Sequence, residues 1–361
     1  MKNGEFEAGT IIKGKDLMGH ILCKILSEDL VMRDFQYKMG MNEDVNPLAI
    51  KGSCEAGLHF FLVENVCWFL EYGVKLAVVS VPDDEDVYVD HFQFRTHKME
   101  IQKIMPLGET ATWEYLRKNG ADLTADNDHA VRWAVEKDCL EVLKYLHKNG
   151  VRITAQDNYA IRLAAACGHL EIVKYLHENG ADITVDDNHP VICAAGNGHL
   201  EVLEYLHKNG ADIRAQNNEA VRCAAERGHL ETVRYLHENG VRITVRNNCA
   251  VILAAKNGHL EMVKYLYENG ADITARNNEA VIYASLKGHL EVVKYLHKNG
   301  ADITAKDNEA VISAAGNGHL EVVEYLHKNG ADITARNNEA VKAAVKNGYF
   351  DMVRYLVKYT P

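Results

Sequence analysis

Residues 301–330 read ADITAKDNEAVISAAGNGHLEVVEYLHKNG, from Ala301 to Gly330. Shifted by 30 positions, the same pattern returns without a gap in eight blocks that begin at Ala121, Val151, Ala181, Ala211, Val241, Ala271, Ala301 and Ala331. Self-similarity at a fixed period marks a solenoid. Each unit is too small to bury its own apolar face and is stabilised by stacking on its neighbours.

Each position of the block has a physical role. Asn308 is placed as an N-cap, and Glu309 puts negative charge in the first turn, where it complements the helix dipole. Ala310, Val311, Ala314 and Ala315 fall at helical spacing and predict a short first helix whose small-sided stripe lets a second helix approach closely. Gly318 can take the left-handed conformation that ends it. The second helix, from Leu320 to Lys328, turns Leu320, Val322, Val323, Tyr325 and Leu326 mostly inward and stops at Asn329-Gly330. Ala331 to Ala335 is then expected to run extended as a connecting finger, with Ile333 as its apolar anchor.

Gly318-His319-Leu320-Glu321-Val322-Val323-Glu324-Tyr325-Leu326, followed by Asn329-Gly330-Ala331-Asp332-Ile333, closely resembles the ankyrin repeat, and the likeness runs from residue 121 to the last residue. The resemblance implies a helical scaffold that binds another macromolecule. Two departures modify it. The family's T-P-L-H is replaced by sequences such as Glu309-Ala310-Val311-Ile312, with proline only in His189-Pro190-Val191-Ile192. The period is 30 where the family uses about 33, and the deficit falls at the hairpin tip, so the fingers should be short. Since fingers commonly carry partner contacts in this family, binding is expected to shift toward the concave first-helix face. The blocks also look like those of the large ankyrin families of giant amoeba-infecting DNA viruses. That likeness implies a viral, host-directed protein of the host cytoplasm, with virion and nucleus left open.

Composition is consistent with this. Apolar residues make up 47% and charged residues 25% of 361 residues, with only 5 prolines, which is globular composition. A net charge of −11 opposes a phosphate backbone, so nucleic acid is not expected as the partner. The start lacks an apolar signal region and no stretch approaches the roughly 20 apolar residues of a membrane span, so no membrane is implied. The eight cysteines (Cys23, Cys54, Cys67, Cys139, Cys167, Cys193, Cys223 and Cys249) share no paired spacing and read as reduced residues of an intracellular protein. His169, His199, His229, His259, His289 and His319 form a ladder, but stacked helices about 8–10 Å apart cannot bring them to one metal. They read as structural turn histidines. A second set, His147, His177, His207, His237, His297 and His327, lies near helix C-termini, where a donor is favoured. No cofactor, metal or catalytic residue is assigned.

In an array, invariant positions serve stacking and varying ones are left for partners. Variation falls at the finger end, where Gln216, Arg246, Arg276, Lys306 and Arg336 stand, and in the first helix. The finger column drifts toward basic while first-helix starts drift from His129 and His189 to Glu219, Glu279, Glu309 and Glu339, so the groove should be electrically polar from end to end. Neutral drift on a solvated face would give the same columns. Trp133, Tyr159 and Tyr283 are the aromatic candidates, exposed as binding anchors or partly buried. The partner expected is a protein or peptide, and self-association through the repeats is a further reading.

At the C-terminus Lys342, Lys346, Asp351, Arg354 and Lys358 predict a polar cap, leaving no segment for an F-box-like module. At the other end TATWEYLRKNG, 110–120, matches only a second helix, so a different domain must cover the first stack. Residues 1–107 carry strand-like runs at 21–26, 76–81, 87–89 and 99–104 and a helix at 63–72. The expected fold is therefore mostly α: an ankyrin-repeat solenoid of 30-residue helix-turn-helix units with short fingers (121–361), a half repeat (108–120) and a small N-terminal α+β domain (1–107).

Cys54-Glu55-Ala56-Gly57-Leu58-His59-Phe60-Phe61, with Phe35-Gln36-Tyr37 upstream, resembles small phage and viral domains of unknown activity. Gly57-Leu58-His59-Phe60 also looks like a segment of ADP-ribosyltransferases. That likeness implies Tyr72 as a nicotinamide-stacking residue and Glu100 as a catalytic acid, with the repeats addressing the enzyme. The other reading of His59 is a partly buried, satisfied histidine at a strand end.

Overall fold

The computed structural model describes residues 6–44 and 57–359. Cys54, Glu55 and Ala56 of the motif above lie outside the described residues. The chain divides into two compact units, one holding residues up to Ala164 together with Glu171–Asp182, the other holding Ala165–Leu170 and everything from Ile183 onward.

Among the described residues the first unit opens with ten strands: β1 (Ile11–Lys13), β2 (Leu22–Leu26), β3 (Val31–Met32), β4 (Phe35–Gln36), β5 (Gly40–Glu43), β6 (Leu58–Leu62), β7 (Lys75–Ser80), β8 (Asp86–Val89), β9 (Phe94–Thr96) and β10 (Lys98–Pro106). Eight of them form an antiparallel sheet in the order β1-β8-β9-β6-β2-β7-β10-β5, and β3 and β4 make a separate hairpin. The four strands expected from alternating apolar residues are β2, β7, β8 and β10. The helix over Val63–Tyr72 is present as a 3₁₀ helix. Its core gathers Leu22, Leu26, Val79, Met99 and Ile101 around Phe60 and Phe94, whose rings stack at 5.3 Å.

The helix Thr110–Lys118 is the lone second helix. Trp113 on it is fully buried, and its Nε1 donates to the carbonyl of Leu107 at 2.6 Å. The 3₁₀ helix packs on the first-helix segment Ala125–Glu136, where a preceding first helix would otherwise stand. Trp133 is 2% exposed, lies 5.7 Å from Trp113 ring to ring, and its Nε1 donates to the carbonyl of Gly73 at 3.3 Å. The sheet domain thus closes the half repeat, and Trp133 is the plug.

In the second unit each repeat pairs a first helix such as Ala305–Gly316 with a second such as Leu320–Lys328, and successive first helices pack on one another. The link between repeats is not the extended finger expected. Asp332 Oδ1 accepts the amide and the hydroxyl of Thr334 at 2.8 and 2.7 Å, which makes a turn of the Asp-Ile-Thr segment. Three residues at the start of each first helix then stand in the left-handed region, as Lys306, Asp307 and Asn308 do at φ 51, 51 and 63°. A 30-residue unit has no chain to spare for a hairpin and reverses in one left-handed turn, at positions filled largely by Asn and Asp, the non-glycine residues that tolerate it best.

Asn308 is accordingly not an N-cap. Its Oδ1 accepts the amide of Asp332 in the following repeat at 2.8 Å. Asn188, Asn248 and Asn278 do the same for Asp212, Asp272 and Asp302. Where the following residue is Arg242 in place of aspartate, Asn218 Oδ1 is buried without a partner among the described residues.

The turn histidines are structural. Nε2 of His259, His289 and His319 lies 3.0–3.1 Å from the carbonyls of Glu226, Lys256 and Leu286 in the preceding repeat. Gly258, at φ +79°, has a second reason to be glycine, because a Cβ there would sit 2.6 Å from His289 Nδ1. The other histidine set pairs across repeats with tyrosine hydroxyls: His207 with Tyr235, His237 with Tyr265, and His297 with Tyr325, at 2.8–2.9 Å. The polar C-terminal cap is only partly realised. Beside its charges the last helix pair leaves Phe350 80% exposed, with Val345 and Val357 also exposed.

Candidate functional site: the repeat face and a cleft in the sheet domain

The finger-end column is bound into the array. Gln216 Nε2 donates to the carbonyl of Asp186 at 3.3 Å, Arg246 to that of Gln216 at 3.1 Å, Arg276 to that of Arg246 at 2.6 Å, and Arg336 to that of Lys306. The cations also find the acidic helix starts: Arg246 with Glu219 at 3.1 Å, Lys306 with Glu279 at 3.4 Å and Arg336 with Glu309 at 2.7 Å. In an earlier repeat Asp186 Oδ2 lies 3.3 Å from His189 Nδ1. The two opposite drifts read from the sequence are therefore one drift of paired positions. In the later repeats the basic finger ends do not stand as free charge, because each is answered by an acidic helix start.

Of the aromatic candidates, Trp133 is removed from the partner face by its burial. The sequence signal that marked it, an aromatic in a variable column, reflects the packing of the sheet domain. Tyr159 and Tyr283 are half-buried on first helices, each with a cation over its ring, Arg162 at 5.6 Å and Lys256 at 5.9 Å. Within the second unit the Tyr283 position forms a column of half-buried, varied side chains, Cys193, Cys223, Leu253, Tyr283 and Ser313, while their neighbours Ala194, Ala224, Ala254, Ala284 and Ala314 are fully buried between helices.

A cleft of about 590 Å³ opens in the sheet domain. Three elements converge on it: the turn between β3 and β4, which brings Arg33; the 3₁₀ helix, which brings Trp68, Phe69 and Tyr72; and the β8–β9 turn, which brings Phe92 and Gln93. Lys24, Tyr37 and His59 also line it. Lys24 Nζ donates to the carbonyl of His59 at 2.8 Å and stands 4.6 Å over the Tyr37 ring. Burial, with the Arg33 charge adding to it, pulls the Lys24 ammonium down to about 7. Burial likewise, then the charges of Lys24 and Arg33, push His59 down to about 4, so its ring is neutral. Its Nε2 is buried with no hydrogen-bond partner among the described residues, while Gln93 hydrogen-bonds to the side chain, so the histidine is satisfied only in part. The phenol of Tyr37 is raised by burial.

His59 and Tyr72 of the transferase likeness thus share this cleft. Glu100 does not. It sits on β10 opposite Met41 of β5 and Ser80 of β7, outside the residues that line the cleft. Lys24 and Arg33 were not singled out from sequence, although a lysine inside the apolar run Ile21-Leu22-Cys23-Lys24-Ile25-Leu26 was a visible signal.

Helix pairs that stack through side-chain-to-backbone ladders and leave one varying column open define a repeat-built interaction scaffold. The family model for ankyrin repeats in sets of three copies matches residues 133–217, 161–247, 191–277, 223–307 and 281–361, and the chain belongs to the ankyrin-repeat family. Two ankyrin repeat proteins of Acanthamoeba polyphaga mimivirus are similar to it. One is 29% identical over 133 residues, covering 34% of this chain and 43% of that protein. The other is 29% identical over 142 residues, covering 35% and 51%. The chain spans about half the length of these relatives or less. Among the described residues no helix is long and apolar enough to cross a membrane.

Proposed function

We propose that this chain is a non-catalytic scaffold that captures a protein or peptide of an infected host cell, in its cytoplasm, on the first-helix face of the repeats. The observation that carries the reading is the half-buried column Cys193, Cys223, Leu253, Tyr283 and Ser313. The repeating turn, asparagine and histidine positions are consumed by stacking, whereas this column carries four residue types over five units and keeps surface for a partner. Tyr283, and Tyr159 in the first unit, supply the aromatic anchors that dominate binding surfaces. Gln216, Arg246, Arg276, Lys306 and Arg336 border that face and act second, because each has to leave a neighbouring repeat before it can serve a ligand. The viral source of the relatives supports the host-directed part.

The test is affinity capture from amoebal cells with the full chain, comparing wild type with Leu253→Glu and Tyr283→Ser. A stoichiometric partner lost from both variants supports the assignment. A partner retained by both sinks it, and a mass that rises with concentration in light scattering would instead favour self-association. We assign no transferase step to the sheet domain, since the proposed acid Glu100 lies outside its cleft.

A further inference from the structure

Strand β2 is buried at all five positions, and Leu22 and Leu26, on the face that Lys24 shares by alternation, belong to the core. A cation at such a place is costly unless it is paired. Lys24 is 4% exposed, and among the described residues its partners are one carbonyl and one ring, with no carboxylate. The acids that line the cleft have other hydrogen bonds: Asp44 Oδ2 accepts the amide of Gly57 at 3.1 Å and Asp90 Oδ1 that of His91 at 2.8 Å. The second cation, Arg33, is presented on a tight turn in which both it and Asp34 take positive φ, 49 and 66°, and it forms no ion pair with a described residue. Two cations that form no ion pair with a described residue therefore face one cavity, whose lining also holds Asp44 and Asp90.

The walls are aromatic. Phe61 and Phe69 stack at 4.3 Å, and Tyr72 and Phe92 remain 48% and 42% exposed beside them. Flat aromatic faces accept any nucleobase by stacking. The volume lies within the range of small-molecule sites and exceeds what a lone phosphate or a single phenyl ring would fill.

We propose that this cleft binds a nucleotide, its phosphate held by Lys24 and Arg33 and its base laid against the aromatic walls. The lowered ammonium of Lys24 fits a group whose counter-charge arrives with the ligand. Binding here is separate from partner capture by the repeats.

Isothermal titration of the full chain with AMP, GMP, CMP and UMP tests this, with adenosine, inorganic phosphate and phenyl phosphate as separate arms. Saturable one-to-one binding of at least one nucleotide is expected, with adenosine and phosphate each about tenfold weaker or more, and with Lys24→Met and Arg33→Gln each reducing affinity by about tenfold or more. Lys24→Met should melt at or above the wild-type temperature, since it replaces a buried cation by an apolar chain of similar length. If it fails to fold, the exposed Arg33→Gln carries the test. No binding by any nucleotide, undiminished binding in the variants that fold, or phenyl phosphate binding more tightly than every nucleotide would overturn the proposal.

Discussion

His289 Nε2 lies 3.1 Å from the carbonyl oxygen of Lys256, and the ring rests on Gly258 of that same preceding repeat. The contact fills a position that a longer side chain at 258 would close, so histidine and glycine are coupled across 31 residues. Burial lowers the pKa of His289, and also of His229. A histidine whose folded-state pKa lies below its unfolded value of about 6.5 leaves the unfolded chain binding more protons, so stability falls as pH drops through that window. Urea midpoints of the full chain should be lower at pH 5.5 than at 7.5. The difference should shrink in His289→Asn, and an equal difference in that variant would remove His289 as a source.

Asn308 has two roles that substitution can separate. Asn308→Gly keeps the left-handed backbone and loses the bond to Asp332, at a cost of about 1 kcal/mol. Asn308→Ala loses the bond and strains the backbone as well, for about 1–2 kcal/mol more. Chemical denaturation ranks the two, and an alanine variant as stable as the glycine variant would contradict the left-handed turn.

Trp133 is a packing residue. Trp133→Ala should destabilise the first unit by about 3–5 kcal/mol, as truncation of large buried aromatics does. Tyr283→Ala, half-exposed on its helix, should cost about 1 kcal/mol or less. Comparison of the two unfolding curves checks the contrast, which equal exposure of the two residues would abolish.

Arg336 and Glu309 meet at 2.7 Å with both side chains about one-third exposed. Arg336→Glu should therefore cost about 1 kcal/mol or less, and adding Glu309→Arg should recover part of it. A double-mutant cycle in thermal unfolding measures the coupling. A coupling of zero would return the finger-end column to the partner face as free charge.

Much of this was legible along the chain. The period, the two helices, Gly318 at the end of the first and the stacking role of His319 follow from local spacing, because each repeat repeats the same neighbours. The alternating runs of β2, β7, β8 and β10 were visible for the same reason. Strands β1, β5 and β9 were not, and of β6 only His59 reads as a strand end, because these segments carry no run of apolar residues flanked by turn residues.

What the sequence by itself determined is the array: a 30-residue repeat can be solved by stacking alone, since every unit meets a copy of itself. What only the tertiary structure decided is everything that depends on unlike residues meeting. Trp133 reads as an anchor along the chain and is covered by the sheet domain, and Arg336 reads as a ligand group and is held by Glu309 and the carbonyl of Lys306. Asn308 reads as a cap along the chain and instead accepts the amide of Asp332 in the next repeat. Lys24 and Arg33 are nine residues apart in sequence, on a buried strand and on an exposed turn, and only the folded sheet domain brings both charges to one aromatic cleft. Through-space pairing sets those contacts, and no local periodicity encodes it.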